Sequence, residues 1–460
     1  MPTLLSPGVA VVEKDFSSII PTVSSGIGAV AGRFTKGPIN TPIMISSEDE
    51  LVGVFGKPDN TNANEWFAAS QFLQYSNKLW TVRAAGDGVV NATTSGTGVA
   101  VFNETAFSLL SDANKTTAGQ FIARNPGTAG NSIRVMLVDA ETWAEFTAWC
   151  VANKALFQNE VTPDALFTNA PGQTTWMDNI VDDGTSREDE VYVIVLDIDG
   201  KISGIPYAVL ERYSGLSKAS DAVNYKGDSI YYGAAINNNS QYVWWVGHPT
   251  QTAGANDIAF GSSGYDAAVT GKKFADISIA ASPNFYTVAL TGGVAGSAST
   301  EAQIKDAYDQ FKNTDLYDLN LIITGAYNLG TAGAIAEYVT SNIAAVRKDA
   351  IVFVSPYGTG GIPFTDHDAT APLTSVQNFK STMNLAEAYA SYAVIDTGFK
   401  YMYDRYNNKY RWVPLNGDIA GLCARTDDVA DPWYSPGGFN RGGLKNVVKL
   451  SYNPDQADRD

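Results

Sequence analysis

The stretch Leu319–Val354, LNLIITGAYNLGTAGAIAEYVTSNIAAVRKDAIVFV, decides the fold class. It opens with an apolar run of strand length at Leu319–Thr324 and closes with a second at Asp349–Val354. Between them, Ala332–Arg347 places apolar side chains at Ile335, Tyr338, Val339, Ile343 and Val346, the spacing of one helix face. Strands that are apolar on both sides fit a sheet covered on both faces. A strand–helix–strand order of this length pairs such strands in parallel.

The same alternation extends outward. Ser299 and Thr300 precede an amphipathic helix over Glu301–Phe311. A helix is expected over Val376–Tyr392 and a short strand over Ala393–Asp396. The N-terminal part repeats the theme: an apolar run at Ile27–Phe34, a Lys36-Gly37-Pro38 turn and a strand at Pro42–Ile45. A helix capped by Ser46 or Ser47 follows, with Glu48–Glu50 in the first turn where carboxylates suit the helix dipole. Gly56-Lys57-Pro58 ends it. A second helix is expected over Asn64–Ser76 and a strand over Leu79–Ala84. Before all of this, residues 1–20 hold Val9, Val11, Val12, Ile19 and Ile20 between prolines, which predicts an extended arm containing a strand. Such an arm docks on its own core or adds to the sheet edge of a neighbouring chain.

The middle is different in composition. Short β-rich runs at Phe121–Ala123 and Ile133–Val138 flank the Asn125-Pro126-Gly127 turn, and Trp143–Phe157 is expected to be helical. Glu190–Ile198 is a strong strand. Asp197–Gly200 should turn it into a hairpin over Lys201–Ile205, with a helix from Ser217 to Val223 and a strand at Tyr242–Val246. Residues 250–284, rich in Gly, Ser and Ala, are expected to be a loop or a peripheral hairpin. The division that follows is an arm at 1–20, a first part of an α/β core at 21–92, β-rich insertions at 93–187 and 188–290, and the rest of the core at 291–460.

One further stretch, Arg411–Gly443 (RWVPLNGDIAGLCARTDDVADPWYSPGGFNRGG), shows no strand or helix period over most of its length. Its composition leaves it either packed down on something or waiting for a partner or ligand.

The charge balance is acidic: 31 Lys and Arg against 48 Asp and Glu give a net charge of −17. That disfavours nucleic acid or an anionic membrane as the main partner. The N-terminus carries no basic region ahead of its apolar run, so no signal peptide is expected, and no window has the ~18 apolar residues that cross a bilayer. The two cysteines, Cys150 and Cys423, are read as reduced core residues. Catalytic signatures are missing. Neither His248 nor His367 stands near a nucleophile motif, and no Cys/His spacing suits zinc. Gly26–Gly32 (GIGAVAG) imitates a dinucleotide-binding loop but has one residue too many before its last glycine. No cofactor, metal or enzymatic activity is expected.

Several motifs taken together carry a resemblance. They are Thr3-Leu4-Leu5-Ser6-Pro7-Gly8-Val9, Phe72-Leu73-Gln74-Tyr75, Trp80-Thr81-Val82-Arg83-Ala84, Ala123-Arg124-Asn125-Pro126-Gly127-Thr128, Gly130-Asn131, Asp199–Gly204, Leu290-Thr291-Gly292-Gly293 and Tyr410–Gly421. In this order they resemble the contractile tail sheath proteins of large phages of the T-even type. The resemblance implies an α/β core built from both ends of the chain, with β-rich insertions. It implies a structural subunit that stacks in six-membered rings as a helical array around a tail tube, and contracts to drive the tube through the host envelope. The implied partners are further copies of the chain, the tail tube protein, and the baseplate and tail terminator. The implied location is the virion tail, assembled in the host cytoplasm. Val9, Val11 and Val12 would lie in an inter-subunit arm. The resemblance also implies that Arg411–Gly443 is an irregular part of the core, with Trp412, Trp433, Tyr434 and Phe439 as buried anchors and Asp418, Arg425, Asp427, Asp431 and Arg441 as a polar network. The family continues beyond the equivalent of Asp460, so the chain is expected to be C-terminally truncated and monomeric by itself. The alternative from another class is a carbohydrate-binding virion surface protein, to which aromatic-rich β insertions would be suited.

Overall fold

The computed structural model describes residues 26–157, 162–180, 187–249, 251–253, 272–274, 285–327, 329–358, 360–365, 372–430, 433–439, 441–454 and 456. The expected arm at 1–20, with Val9, Val11 and Val12, lies outside these residues, as do His367 and Asp431.

At the centre is a six-stranded sheet. Its strands run in the order Ala393–Ile395, Ile351–Val354, Leu321–Ile323, Gly28–Gly32, Leu79–Arg83 and Ile43–Ile45. The first five are mutually parallel, and only the edge strand Ile43–Ile45 is antiparallel to its neighbour. Gly28 stands opposite both Leu321 and Leu79, so the first described strand sits between segments 242 residues apart in sequence (321 − 79). Both ends of the chain thus build one core.

Alternation along these strands sends side chains to two helical layers. Val30, Leu321, Ile323 and Phe353 pack with Trp66, Phe67, Phe72, Ala420 and Ala424 on one face. Ala29, Ala31, Ile322, Val352 and Val354 pack with Ile304, Tyr308, Ile335, Val339 and Phe379 on the other. Two helices carry the caps that the sequence predicts. Ser47 caps Glu48–Phe55 by accepting the Glu50 N–H, and Gly56 ends it at φ 86°. Thr300 and Gln303 form a reciprocal capping box on Glu301–Asp309. The expected helix over 332–347 is interrupted by a π turn at Thr340–Ala344, where the Thr340 hydroxyl donates to the Ala336 carbonyl at 2.7 Å. The helix expected over Val376–Tyr392 is shorter and earlier, Pro372–Met383, followed by a 3₁₀ turn at Glu387–Tyr392.

The middle of the chain forms an antiparallel sheet in the order Tyr286–Ala289, Ile133–Val138, Glu190–Asp197, Ala208–Ser217. Phe121–Ala123 pairs separately with Val243–Trp245. Strand pairing therefore runs across the expected division at 187/188: Ile133–Val138 and Glu190–Asp197 share one ladder and the same apolar clusters. Two separate β-rich insertions are replaced by one sheet drawn from both. The return strand begins at Ala208, not Lys201. The Asp197 carboxylate holds Lys201–Ser203 in turns by accepting their three backbone N–H groups. Ser217 ends a strand instead of capping a helix, and Tyr232–Asn239 is a helix with no counterpart in the sequence reading. Within 250–284, Gln251–Ala253 pairs antiparallel with Lys272–Phe274.

The stretch at 411–443 is the largest correction. Lys409–Pro414 is a strand, and Asn416–Val429 is a fourteen-residue helix packed against Ala63–Phe72. Gly417 and Gly421 read as helix breakers on propensity. They are required here because a Cβ at Gly417 would stand 2.0 Å from the Ala68 carbonyl oxygen, and one at Gly421 2.6 Å from the Tyr75 ring. Helix contact at this distance admits only hydrogen. The expected anchors divide: Trp412 is half-buried, but Trp433 is 79% exposed and Phe439 wholly exposed. Of the expected polar network, Asp418 is buried and Arg425 is exposed.

Candidate functional site

In open parallel sheets, ligands bind beyond the carboxyl ends of two neighbouring strands whose connections leave in opposite directions. Here those strands are Gly28–Gly32 and Leu321–Ile323, and the crevice is filled by the chain itself. Arg33 donates to Glu65 at 2.7 Å. Asn64 donates to the Ala326 carbonyl and Asn416 to the Gly325 carbonyl, both at 2.9 Å. Tyr308 donates to the Ile323 carbonyl at 2.6 Å, and Tyr327 to the Ala31 carbonyl. Glu65 is fully buried, and desolvation pushes its carboxyl above the usual range against the pull of Arg33. Gly28–Gly32 is the central strand and not a phosphate-binding loop; a Cβ at Gly28 would meet the Phe72 ring at 2.6 Å.

Among the described residues, both cysteines and His248 are held in inert settings. Burial pushes the Cys150 thiol up to about 12 and that of Cys423 to about 11, far from thiolate formation at neutral pH. His248 has both ring nitrogens engaged by phenols, Nδ1 with Tyr232 at 2.8 Å and Nε2 with Tyr231 at 3.2 Å, and burial lowers its pKa. Among the described residues no cluster of His, Cys, Asp and Glu could hold a metal ion, and no described helix is long and apolar enough to cross a membrane.

The polar chemistry is instead concentrated where distant segments join. Lys400 is fully buried; its ammonium donates to Gln71 at 2.7 Å, and to Asp418 and the Lys445 carbonyl at 2.8 Å. Tyr75 donates to Asp418 at 3.1 Å and accepts from the Lys445 N–H at 2.8 Å. One ion pair thus ties the helix of residues 63–72, the strand Phe399–Asp404, the helix Asn416–Val429 and the chain near 445. Arg83, at the end of a core strand, makes the corresponding tie to the β-rich part. Its guanidinium donates to the carbonyls of Phe34 at 3.0 Å, Gly37 at 2.7 Å and Pro126 at 2.8 Å. Of the polar network expected at 411–443, Asp418 is the one described member that joins this cluster. Lys400, Gln71, Tyr75 and Arg83 were missed, because a single buried polar residue leaves no periodic signal.

What the described residues leave open is surface. Ala393–Ile395 forms one edge of the central sheet, beside a groove of about 700 Å³ lined by Met383, Leu385, Ala390 and Ile395. The hairpin Phe399–Asp404/Lys409–Pro414 turns Lys400, Met402 and Asp404 inward. Its other face carries Tyr401, Tyr403, Tyr410 and Trp412, with neighbouring ring centroids 5.0–5.6 Å apart. Trp433, Tyr434 and Phe439 lie exposed beyond the following helix. A sheet edge, an aromatic face and unburied rings are features of a protein that covers its surface with other chains.

Residues 25–84 match the family model described as the Tail sheath protein Gp18 domain III N-terminal region. Over its full length the chain is 28% identical to the tail sheath protein of Enterobacteria phage T4, covering 78% of it. It is 27% identical to that of Vibrio phage KVP40, again over the whole chain and 79% of the relative. A solved sheath tail protein from Desulfitobacterium hafniense is similar at 13% identity and a TM-score of 0.39, covering 98% of this chain and 69% of that one. The chain is a relative of the tail sheath proteins of T4 and related contractile-tail phages, and its role is that of a structural sheath protein.

Proposed function

We propose that the chain is the repeating subunit of a contractile tail sheath. In this reading, copies stack as six-membered rings in a helical array around a tail tube, bounded by a baseplate and a terminator. Contraction of the array drives the tube through the host envelope. The observation that supports it is the full-length similarity to proteins named as tail sheaths. A contact repeated between unlike surfaces, without closing on itself, generates a helical tube, and an arm that adds a strand to a neighbour keeps main-chain hydrogen bonds while subunits rotate. Val9, Val11 and Val12 are assigned to that arm, and the edge at Ala393–Ile395, open among the described residues, is a surface of the kind it needs. The virion tail is the location, and the host cytoplasm the place of assembly.

Deleting residues 1–20 tests the arm. Loss of assembly with an unchanged melting temperature is expected. A large fall in melting temperature would mean that the segment stabilises its own core, and unchanged assembly would remove its inter-subunit role.

A further inference from the structure

The structure separates Lys36 from the other buried lysines. Lys218 and Lys400 are fully buried, and each pairs with a buried aspartate, Asp139 at 3.1 Å and Asp418 at 2.8 Å. Lys36 is only 8% exposed, yet its ammonium has no hydrogen bond or ion pair among the described residues. It lines a cleft of about 430 Å³ between the core and the β-rich part. Val52, Gly56 and Pro58 form one side, Thr128 and the turn Gly200–Gly204 the other. Exposed Lys57 stands on the rim and is near enough to act electrostatically on Lys36.

Two carboxylates near the cleft are committed elsewhere. Asp197 attracts Lys36 through space but accepts from Ser132, Lys201, Ile202 and Ser203. Asp59, which also lines the cleft, accepts the N–H groups of Thr61 and Asn62 and the Thr61 hydroxyl. Burial lowers the Lys36 pKa, which is the cost of a desolvated cation lacking a partner. An anion seated in the cleft would remove that cost.

We propose that this cleft is an oxyanion-binding site in which Lys36, supported by Lys57, holds a carboxylate or phosphate group. Two sources share that chemistry: a free inorganic anion, and an acidic side chain of a second copy, which this strongly acidic chain would supply. The turn of the aromatic hairpin borders the site, with Asn407 donating to the Pro58 carbonyl at 3.1 Å, but the argument uses only the charge and burial of Lys36 and does not depend on the sheath reading.

The first arm of the test is calorimetric titration with inorganic phosphate at constant ionic strength. The wild type, Lys36→Met and the surface control Lys226→Met are compared, with circular dichroism confirming the fold. Saturable binding by wild type and K226M, weakened at least tenfold in K36M, identifies a free-anion site. The second arm is sedimentation velocity against protein concentration at low salt. Self-association lost in K36M and competed away by phosphate identifies an acidic side chain of a second copy. If the wild type neither binds phosphate nor self-associates, or if K36M matches it in both arms, the proposal is overturned.

Discussion

Replacing Lys400 by Met removes one ammonium from the seam between the two ends of the chain, and the structure sets the size of the effect. The aliphatic stem is kept. What is lost is the partner of Asp418, which is itself fully buried, along with the donor to Gln71 and to the Lys445 carbonyl. The remaining carboxylate keeps the Tyr75 hydroxyl but has no countercharge in contact. Breaking a buried pair from one side costs about 3–5 kcal/mol. The double variant Lys400→Met/Asp418→Asn has no stranded charge and should recover most of that loss, leaving about 1–2 kcal/mol for unfilled hydrogen bonds. Desolvation already raises the Asp418 pKa. Acid should therefore neutralise the stranded carboxyl and narrow the gap between K400M and wild type. Hydrogen exchange at the amides of 399–404 and 416–429, read together with urea unfolding, measures both effects. A K400M cost below about 1 kcal/mol, or a double variant no better than the single one, would refute the claim that this pair closes the core.

Two further outcomes follow from the same geometry. Gly417→Ala puts a Cβ against the Ala68 carbonyl and should cost roughly 1–3 kcal/mol, whereas Gly53→Ala, in the helix Glu48–Phe55 with nothing within 4 Å, should be stabilising by about 0.4–1 kcal/mol; equal melting shifts would contradict the close approach. Glu65 has a folded pKa raised by burial, so the native state holds its proton to higher pH than the unfolded chain does. Its contribution is greatest below the unfolded value and falls as pH rises through the folded one, by at most about 1.4 kcal/mol per pH unit. Unfolding measured from pH 4 upward should show that slope in wild type and a flatter one in Glu65→Gln.

The strands at 321–323 and 351–354 and the capped helices at 48–55 and 301–309 were legible because each carries a local signal: an unbroken apolar run, a Ser or Thr cap, or a terminating glycine. The helix at 416–429 was not. Its inward stripe is Gly417, Ala420, Gly421 and Ala424, small residues that look like loop composition until Ala68 and Tyr75 are placed against them. The partition of the β-rich part failed for a related reason, since nothing local in Ile133–Val138 says that its partner begins at Glu190. Exposure of Trp433 and Phe439 was equally invisible, because burial of an aromatic ring is decided by what stands opposite it.

The central claim is tested most directly by negative-stain electron microscopy of the purified protein mixed with tail tubes, without nucleotide or metal. Sheath-like tubes or curled sheath polymers with a regular axial repeat are the predicted result. A protein that stays monomeric at high concentration beside bare tubes, while binding a glycan array, would contradict the sheath account and favour a carbohydrate-binding surface protein.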